Sequence, residues 1–403
     1  MPKGLDVGTM NIVGAYFNTK NKEIVKRFRN CFVNVNREEA DDMTDGGSNI
    51  VEANDKYFLI GEDAINIARV IEANDGVQSK NILHRPMANG VLNPKEGDAA
   101  IVMQKIFEGV LGKPAYKGEV VCASLPADTT DGTIDNNYHS AIIKTILKNI
   151  GYKPIVINEG LAVVFAENPT VEAANETMNM TGIGISFGAG MINFCFAYKK
   201  RPLITFAIQD SGDWLDKQVA KARNTSVSRV TLFKERFFDF TKTYVDNNGV
   251  TRLGYSNDEL TKIGLKSAGD INDFRLLFQA IEIFYKCLVE NVIEKFNEEF
   301  EKSEDKDKKI QEPVEIIISG GTSSPEGFDK YFLELIQEAE FPFHLKGVRK
   351  AKRQLESTAI GALAMAISYE KRKKDAAPKK PVIDKQIKPE EGGGLDALLS
   401  DAD

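Results

Sequence analysis

The sequence predicts an α/β protein built from two related halves, and three observations carry that prediction. Apolar strand-like runs alternate with amphipathic helical patterns, an arrangement that implies sheets at least partly parallel. A strand running into a glycine turn, Gly4-Leu5-Asp6-Val7-Gly8-Thr9-Met10-Asn11, is echoed at Gly184-Ile185-Ser186-Phe187-Gly188-Ala189-Gly190-Met191-Ile192-Asn193. The 403 residues, 42% hydrophobic and 28% charged, suffice for two or three domains with cores of their own.

In chain order, residues 12–17 continue the opening strand after the first turn, and 57–60 form a short apolar strand ending at Gly61. The spacing of Ala99, Val102, Ile106 and Val110 predicts a helix capped by Asp98 and stopped at Gly112. A buried strand is expected at 119–123, an amphipathic helix at 138–150 stopped by Gly151, and a further strand at 154–157. The second half repeats the plan. Strands at 182–187 and 191–197 flank the second glycine turn as a hairpin, 201–208 is a third strand, and 213–222 is a helix. Phe274, Leu277, Phe278, Ile281, Phe284, Leu288, Val292 and Phe296 mark one face of a long helix over 273–300. The charged stretch 301–312 reads as a solvated loop. A strand at 314–318 breaks into Ser319-Gly320-Gly321-Thr322, and an Ala- and Gly-rich helix at 357–369 suits close packing.

From Lys371 the character changes. Lys371-Arg372-Lys373-Lys374 opens a Pro/Lys segment with almost no apolar content, expected to be disordered over 371–403. It runs through Gly392-Gly393-Gly394 to an acidic-apolar segment from Leu395 to Asp403, which reads either as a tethered recognition peptide or as a solubilising tail.

Composition narrows the function. A net charge of −7 argues against a nucleic-acid partner for the bulk protein. No apolar run is long enough to span a bilayer, and a strand pattern starting within three residues of Met1 predicts neither signal peptide nor amphipathic anchor. Four scattered cysteines without a CxxC pair, with three histidines, disfavour disulfide and zinc sites and point to a reducing cytoplasm.

The glycine turns carry the chemistry. Phosphate needs convergent backbone N–H groups, and glycine lets the chain approach closely. Gly8, Thr9, Met10 and Asn11 offer such a cradle, and Asp6 at the strand end can hold magnesium through water. The ordered set of the first turn, Asn158-Glu159-Gly160-Leu161-Ala162, the second turn, Lys234-Glu235, Ser319-Gly320-Gly321-Thr322 and the 356–364 helix resembles the actin/heat-shock-chaperone/sugar-kinase ATPase superfamily over residues 1–370. Arg85-Pro86-Met87 with Gly90-Val91-Leu92, and Ser211-Gly212-Asp213-Trp214-Leu215-Asp216, are most similar to bacterial actins of the MreB and MamK type.

That resemblance implies two ribonuclease-H-like (actin-fold) domains flanking a nucleotide cleft: 1–158 completed by 348–370, and 159–347. It implies ATP or ADP with Mg2+ as cofactors. Asp6 is expected to hold water-bound magnesium, with Gly8, Thr9, Met10 and Asn11 on the β- and γ-phosphates. Gly188, Ala189 and Gly190 are expected to close from the other domain, Lys234 and Glu235 to reach ribose or base, and Gly320, Gly321 and Thr322 to pass adenine and α-phosphate. Glu159 matches the acidic residue that orients the attacking water; a carboxylate there is also what a helix N-terminus favours.

The pattern breaks in the second turn. The superfamily's Asp-x-Gly-x-Gly-Thr-x-Asp appears as Ser186, Phe187, Gly188, Ala189, Gly190, Met191, Ile192 and Asn193, so both carboxylates and the threonine hydroxyl are gone. Gly160 stands where proline is usual and should loosen that helix start. Binding is therefore expected to survive better than hydrolysis. The leading expectation is a cytoplasmic, nucleotide-dependent filament protein with slow hydrolysis. The alternatives are a non-polymerising pseudo-ATPase adaptor and a small-molecule kinase drawing a base from Asp210, Asp213 or Asp216.

Overall fold

Two five-stranded sheets share one topology. The computed structural model describes residues 1–45, 49–75, 82–134, 136–167, 181–199, 201–303, 313–339, 341–342 and 344–375. The first half opens with β1 (Lys3–Val7), β2 (Asn11–Phe17), β3 (Glu23–Arg29) and β4 (Phe32–Val35). It continues through α1 (Arg37–Asp45), β5 (Ile50–Ala53), β6 (Lys56–Ile60), α2 (Glu62–Asp75), β7 (Met87–Ala88) and β8 (Val91–Leu92). Helix α3 (Ala99–Leu111), β9 (Val120–Leu125), α4 (Asn136–Ile150) and β10 (Lys153–Asn158) complete it. The second half begins with α5 (Glu159–Glu167), β11 (Gly182–Phe187), β12 (Ile192–Tyr198), β13 (Arg201–Ile208), α6 (Gly212–Arg223) and α7 (Val227–Phe237). A small hairpin, β14 (Thr243–Val245) and β15 (Thr251–Leu253), leads to α8 (Asn257–Lys262) and the long α9 (Ala268–Lys302). The chain then forms β16 (Val314–Ser319), α10 (Phe328–Glu338), β17 (Leu345–Lys350) and α11 (Ser357–Asp375).

From its antiparallel edge the first sheet runs β3-β2-β1-β9-β10, and the second runs β13-β12-β11-β16-β17. In each, three antiparallel strands are followed by two parallel ones. The glycine turns close alike, with Gly8 N–H donating to the Asn11 carbonyl at 3.1 Å and Gly188 N–H to the Met191 carbonyl at 3.0 Å. The repeat legible in sequence is thus a repeat of whole lobes. Each lobe has its own core, the second rich in phenylalanine, including the stacked pair Phe194 and Phe206.

The lobes exchange helices. Helix α5, which follows the first sheet, packs on β11 and β12; α11, which follows the second, packs on β1 and β9. Small residues along both, such as Ala162, Ala362 and Ala366, let them cross within one apolar cluster. Gly160 is a consequence of this crossing. A Cβ there would lie 2.6 Å from the Cys195 backbone nitrogen, so glycine seats the start of α5 tightly on β12 and does not loosen it.

Other expectations are adjusted. Asp98 sits before α3 but makes no side-chain cap; its carboxylate takes Lys56 Nζ at 2.8 Å. Helix α11 runs on to Asp375, past the point where apolar content fails, because basic residues suit the negative end of a helix. The rest of the tail, with the segment from Leu395 to Asp403, lies outside the described residues, as do residues 304–312 of the charged stretch, whose first two residues end α9.

His139 on α4 supplies a test of the first core. It is 1% exposed, its Nδ1 accepts the Leu92 N–H at 3.1 Å, and burial pushes its pKa down to about 4. A folded pKa below the unfolded value means that the unfolded chain binds the extra proton first. Stability is then lost as pH falls from about 6.5 to about 4, by on the order of 3 kcal/mol. Urea melts at pH 7.5 and pH 4.5 should show a smaller acid loss in His139→Asn, by about 2 kcal/mol or more; equal losses in both proteins would refute this.

Candidate functional site

Both glycine turns open into one cavity of about 540 Å³ between the lobes. Its lining includes Asp6, Gly8, Thr9, Met10, Asn11, Glu159, Gly188, Ala189, Gly190, Lys234, Glu235, Gly320, Gly321 and Thr322. The residues expected from the sequence to bind nucleotide and magnesium, with Glu159, therefore meet in one place, although they span more than 300 positions of the chain.

The turns touch across the floor of the cleft. A Cβ on Gly190 would lie 2.3 Å from Thr9 Oγ1 and 2.4 Å from the Gly90 nitrogen, so only glycine permits this approach. Beside it, Met191 is 2% exposed and packs against the 87–92 segment near Gly90. The methionine thus replaces a hydroxyl donor with an apolar contact between lobes.

Two carboxylates, Asp6 and Glu159, line the cavity beside the glycine turns. Asp6 sits where β1 ends and accepts the Ser124 hydroxyl at 2.9 Å; burial pushes its pKa up to about 6. Glu159 begins α5, and burial, then the Asp6 charge, pushes it up to about 8. Hydrogen bonds from Ser186 and Asn193 oppose that rise. Asn193, 1% exposed, donates from Nδ2 to Glu159 Oε2 at 2.9 Å and accepts the Ala127 N–H at 2.9 Å. The backbone donor fixes the amide's orientation, so this residue holds Glu159 in place. Sequence comparison with the superfamily pattern registers it only as a missing carboxylate.

The second turn is braced from behind. The Gly188 carbonyl accepts Thr322 Oγ1 at 2.9 Å and the Gly212 N–H at 3.2 Å, and the Ala189 carbonyl accepts the Asp213 N–H at 2.8 Å. Fully buried Tyr285 donates to the Thr322 carbonyl at 2.8 Å, tying the 320–322 loop to α9. Lys234 lines the opposite end with its ammonium 2.6 Å from Asp216 Oδ1, so its charge is already balanced. Across the cleft, Arg85 pairs with Asp213 at 2.9 Å and Arg29 approaches Glu235 at 3.7 Å. Arg29 and Ser124 are contributors that sequence reasoning missed; it named Asp216 only as a candidate kinase base and Asn193 only as a lost carboxylate.

Among the described residues no group of three His, Cys, Asp or Glu side chains gathers to hold a metal. The donor set is half-buried Asp6 and buried Glu159, with backbone N–H groups around. That suits magnesium, which keeps several waters and takes its remaining ligands from phosphate oxygens. It does not suit a metal held by protein alone.

A family profile described as Volactin matches residues 1–262 and 268–366, nearly the whole described chain. The chain belongs to the Volactin family. No curated protein matches it. Among solved structures, this Volactin chain is similar to the MamK double helical filament, with 15% identity, 91% of this chain and 98% of that chain covered, and a TM-score of 0.60. It is also similar to MreB5 of Spiroplasma citri, solved bound to AMPPNP and bound to ADP. Both forms give 14% identity, 93% and 98% coverage and a TM-score of 0.55. The Volactin chain thus has the actin fold shared with bacterial actins.

Proposed function

We propose that the chain is an actin-like filament protein whose cleft binds ATP with magnesium and hydrolyses it slowly. The observation that carries this reading is the pair of matching glycine turns facing each other, with Asp6 behind one and neutral Ser186 behind the other. In it Asp6 holds water-bound Mg2+, Gly8, Thr9, Met10 and Asn11 receive the β- and γ-phosphates, and Gly188, Ala189 and Gly190 close from the second lobe. Gly320, Gly321 and Thr322 lie beside adenine and α-phosphate. Lys234 and Glu235 stand at the ribose and base end. Magnesium arriving with ATP supplies charge neutralisation at the phosphates. Glu159, held by Asn193, orients the attacking water.

We divide the chain accordingly into lobes 1–158 and 159–347, with the segment 348–370 returning to the first; β17 stays in the second sheet to Lys350, so the return itself follows that strand. Head-to-tail contacts that do not close into a ring give an open filament, and the nucleotide-closed cleft sets the subunit shape. The likeness to the MamK filament supports this reading at the level of fold. A cytoplasmic location goes with it. The segment from Leu395 to Asp403, repeated along a polymer, serves as a hook for partners, where avidity compensates for weak single contacts.

The kinase alternative loses ground on geometry. Asp210 accepts Asn291 Nδ2, Asp213 is held by Arg85, and Asp216 by Lys234 and Thr231, which leaves no free carboxylate among them to act as a base. The adaptor alternative, a pseudo-ATPase that binds nucleotide without hydrolysing it, differs in assembly and in turnover.

Ser186→Asp tests the slow-hydrolysis claim. A carboxylate at this position, 6% exposed, restores the second magnesium-organising group and should raise phosphate release by roughly ten-fold or more. Wild-type release as fast as that of ordinary bacterial actins would contradict the claim.

A further inference from the structure

Binding phosphate through a turn's N–H groups requires that its carbonyls face elsewhere. In the first turn the Asn11 carbonyl is used internally by Gly8 N–H. The Gly8 carbonyl accepts Asn30 Nδ2 at 3.0 Å, and the Met10 carbonyl accepts the Asn30 backbone N–H at 3.0 Å. One residue thus draws two carbonyls of the turn away from the cavity. Its place is fixed by the ladder: Asn11 pairs with Arg29 at the end of β2 and β3, and Asn30 is the next residue.

Two further observations support a dedicated role. Asn30 is 1% exposed, and its Oδ1 has no hydrogen-bond partner among the described residues. An unsatisfied buried acceptor is costly, so the residue is kept for its donor. In the second lobe the Gly188 and Ala189 carbonyls are also taken from behind, by Thr322, Gly212, Ser211 and Asp213. Different side chains achieve the same result on the two sides of the cleft.

We infer that Asn30 is a positioning residue for the first phosphate turn, holding its carbonyls back so that the N–H groups not used within the turn face the phosphates. This rests on the nucleotide reading above. The test is calorimetric titration of the full chain with Mg-ATP and, separately, with adenosine, which lacks phosphate. Asn30→Asp keeps the shape and removes the donor; Asn30→Ala removes the donor without adding charge. Both should lose about 10- to 100-fold in Mg-ATP affinity while adenosine affinity stays within about two-fold of wild type. Asn30→Ser, a smaller change, should lose part of the Mg-ATP affinity and serves if the other variants do not fold.

If wild type binds Mg-ATP and the variants bind it equally well, or if only the charged variant weakens, the inference fails and the nucleotide reading stands. Equal weakening toward ATP and adenosine would make Asn30 a general structural residue and also overturn it. Wild type that binds neither ligand would overturn the nucleotide reading, and this inference with it.

Discussion

Asp6→Asn is expected to lower Mg-ATP affinity by about 100-fold and, at pH 7, to stabilise the protein without nucleotide by about 1–2 kcal/mol. The two effects have one cause. Asp6 is half-buried at the end of β1 with Ser124 as its hydrogen-bonding neighbour, and burial raises its pKa from 3.8 to about 6. A carboxylate with a raised folded pKa favours the folded state below its unfolded pKa. That contribution is lost as pH rises toward the folded pKa, so at pH 7 the charge is a burden. Asparagine removes the burden and with it the charge that magnesium needs. Ser186 offers no second carboxylate to compensate, which is why the affinity loss should be large. Calorimetric titration and thermal melting of the same variant check both directions. A variant less stable than wild type without ligand, or one that binds Mg-ATP equally well, would contradict the assignment.

Gly361→Ala should destabilise the fold by about 3 kcal/mol, near the upper end for overpacking. Gly361 lies in α11 where it crosses α5, and a Cβ there would fall 1.8 Å from the Ala162 carbonyl oxygen. The obstacle is backbone, so relief requires one helix to shift, and each helix is seated on the other lobe's sheet. The gain of up to about 1 kcal/mol from replacing glycine in a helix does not offset this. Gly109 in α3 is the control, since a Cβ there meets nothing within 4 Å; Gly109→Ala should stabilise slightly. Urea denaturation of both variants gives the comparison, and similar midpoints would show that the crossing tolerates more than its geometry implies.

The elements that sequence reasoning placed best are those rich in apolar residues. β13 was expected at 201–208 and lies there, and β11 likewise matches 182–187. β3 was not anticipated, because its Glu23, Lys26, Arg27 and Arg29 give it the look of a solvated segment; it is the edge of the first sheet. β17 was hidden by its basic residues in the same way at the second sheet's edge. Helix α10 carries Phe328, Phe332, Leu335 and Ile336 on one buried face, in a region for which the sequence reading assigned no element.

The site divides along similar lines. Glycine turns and strand-end carboxylates are local features, so they could be read directly. Asn30, Asn193 and Ser124 owe their roles to partners 22, 34 and 118 positions away, and nothing local distinguishes them from other polar residues. Asn193 shows the limit most clearly: it departs from the superfamily pattern, yet in this chain it links Glu159 to the Ala127 backbone.

The most direct test of the central claim is sedimentation of the full chain with Mg-ATP, with Mg-ADP and without nucleotide. Wild type should pellet with Mg-ATP and stay in the supernatant without nucleotide, and Asp6→Asn should remain soluble at ATP concentrations that pellet wild type. Protein that stays in the supernatant under every condition, or pellets equally well without nucleotide, would contradict a nucleotide-dependent filament.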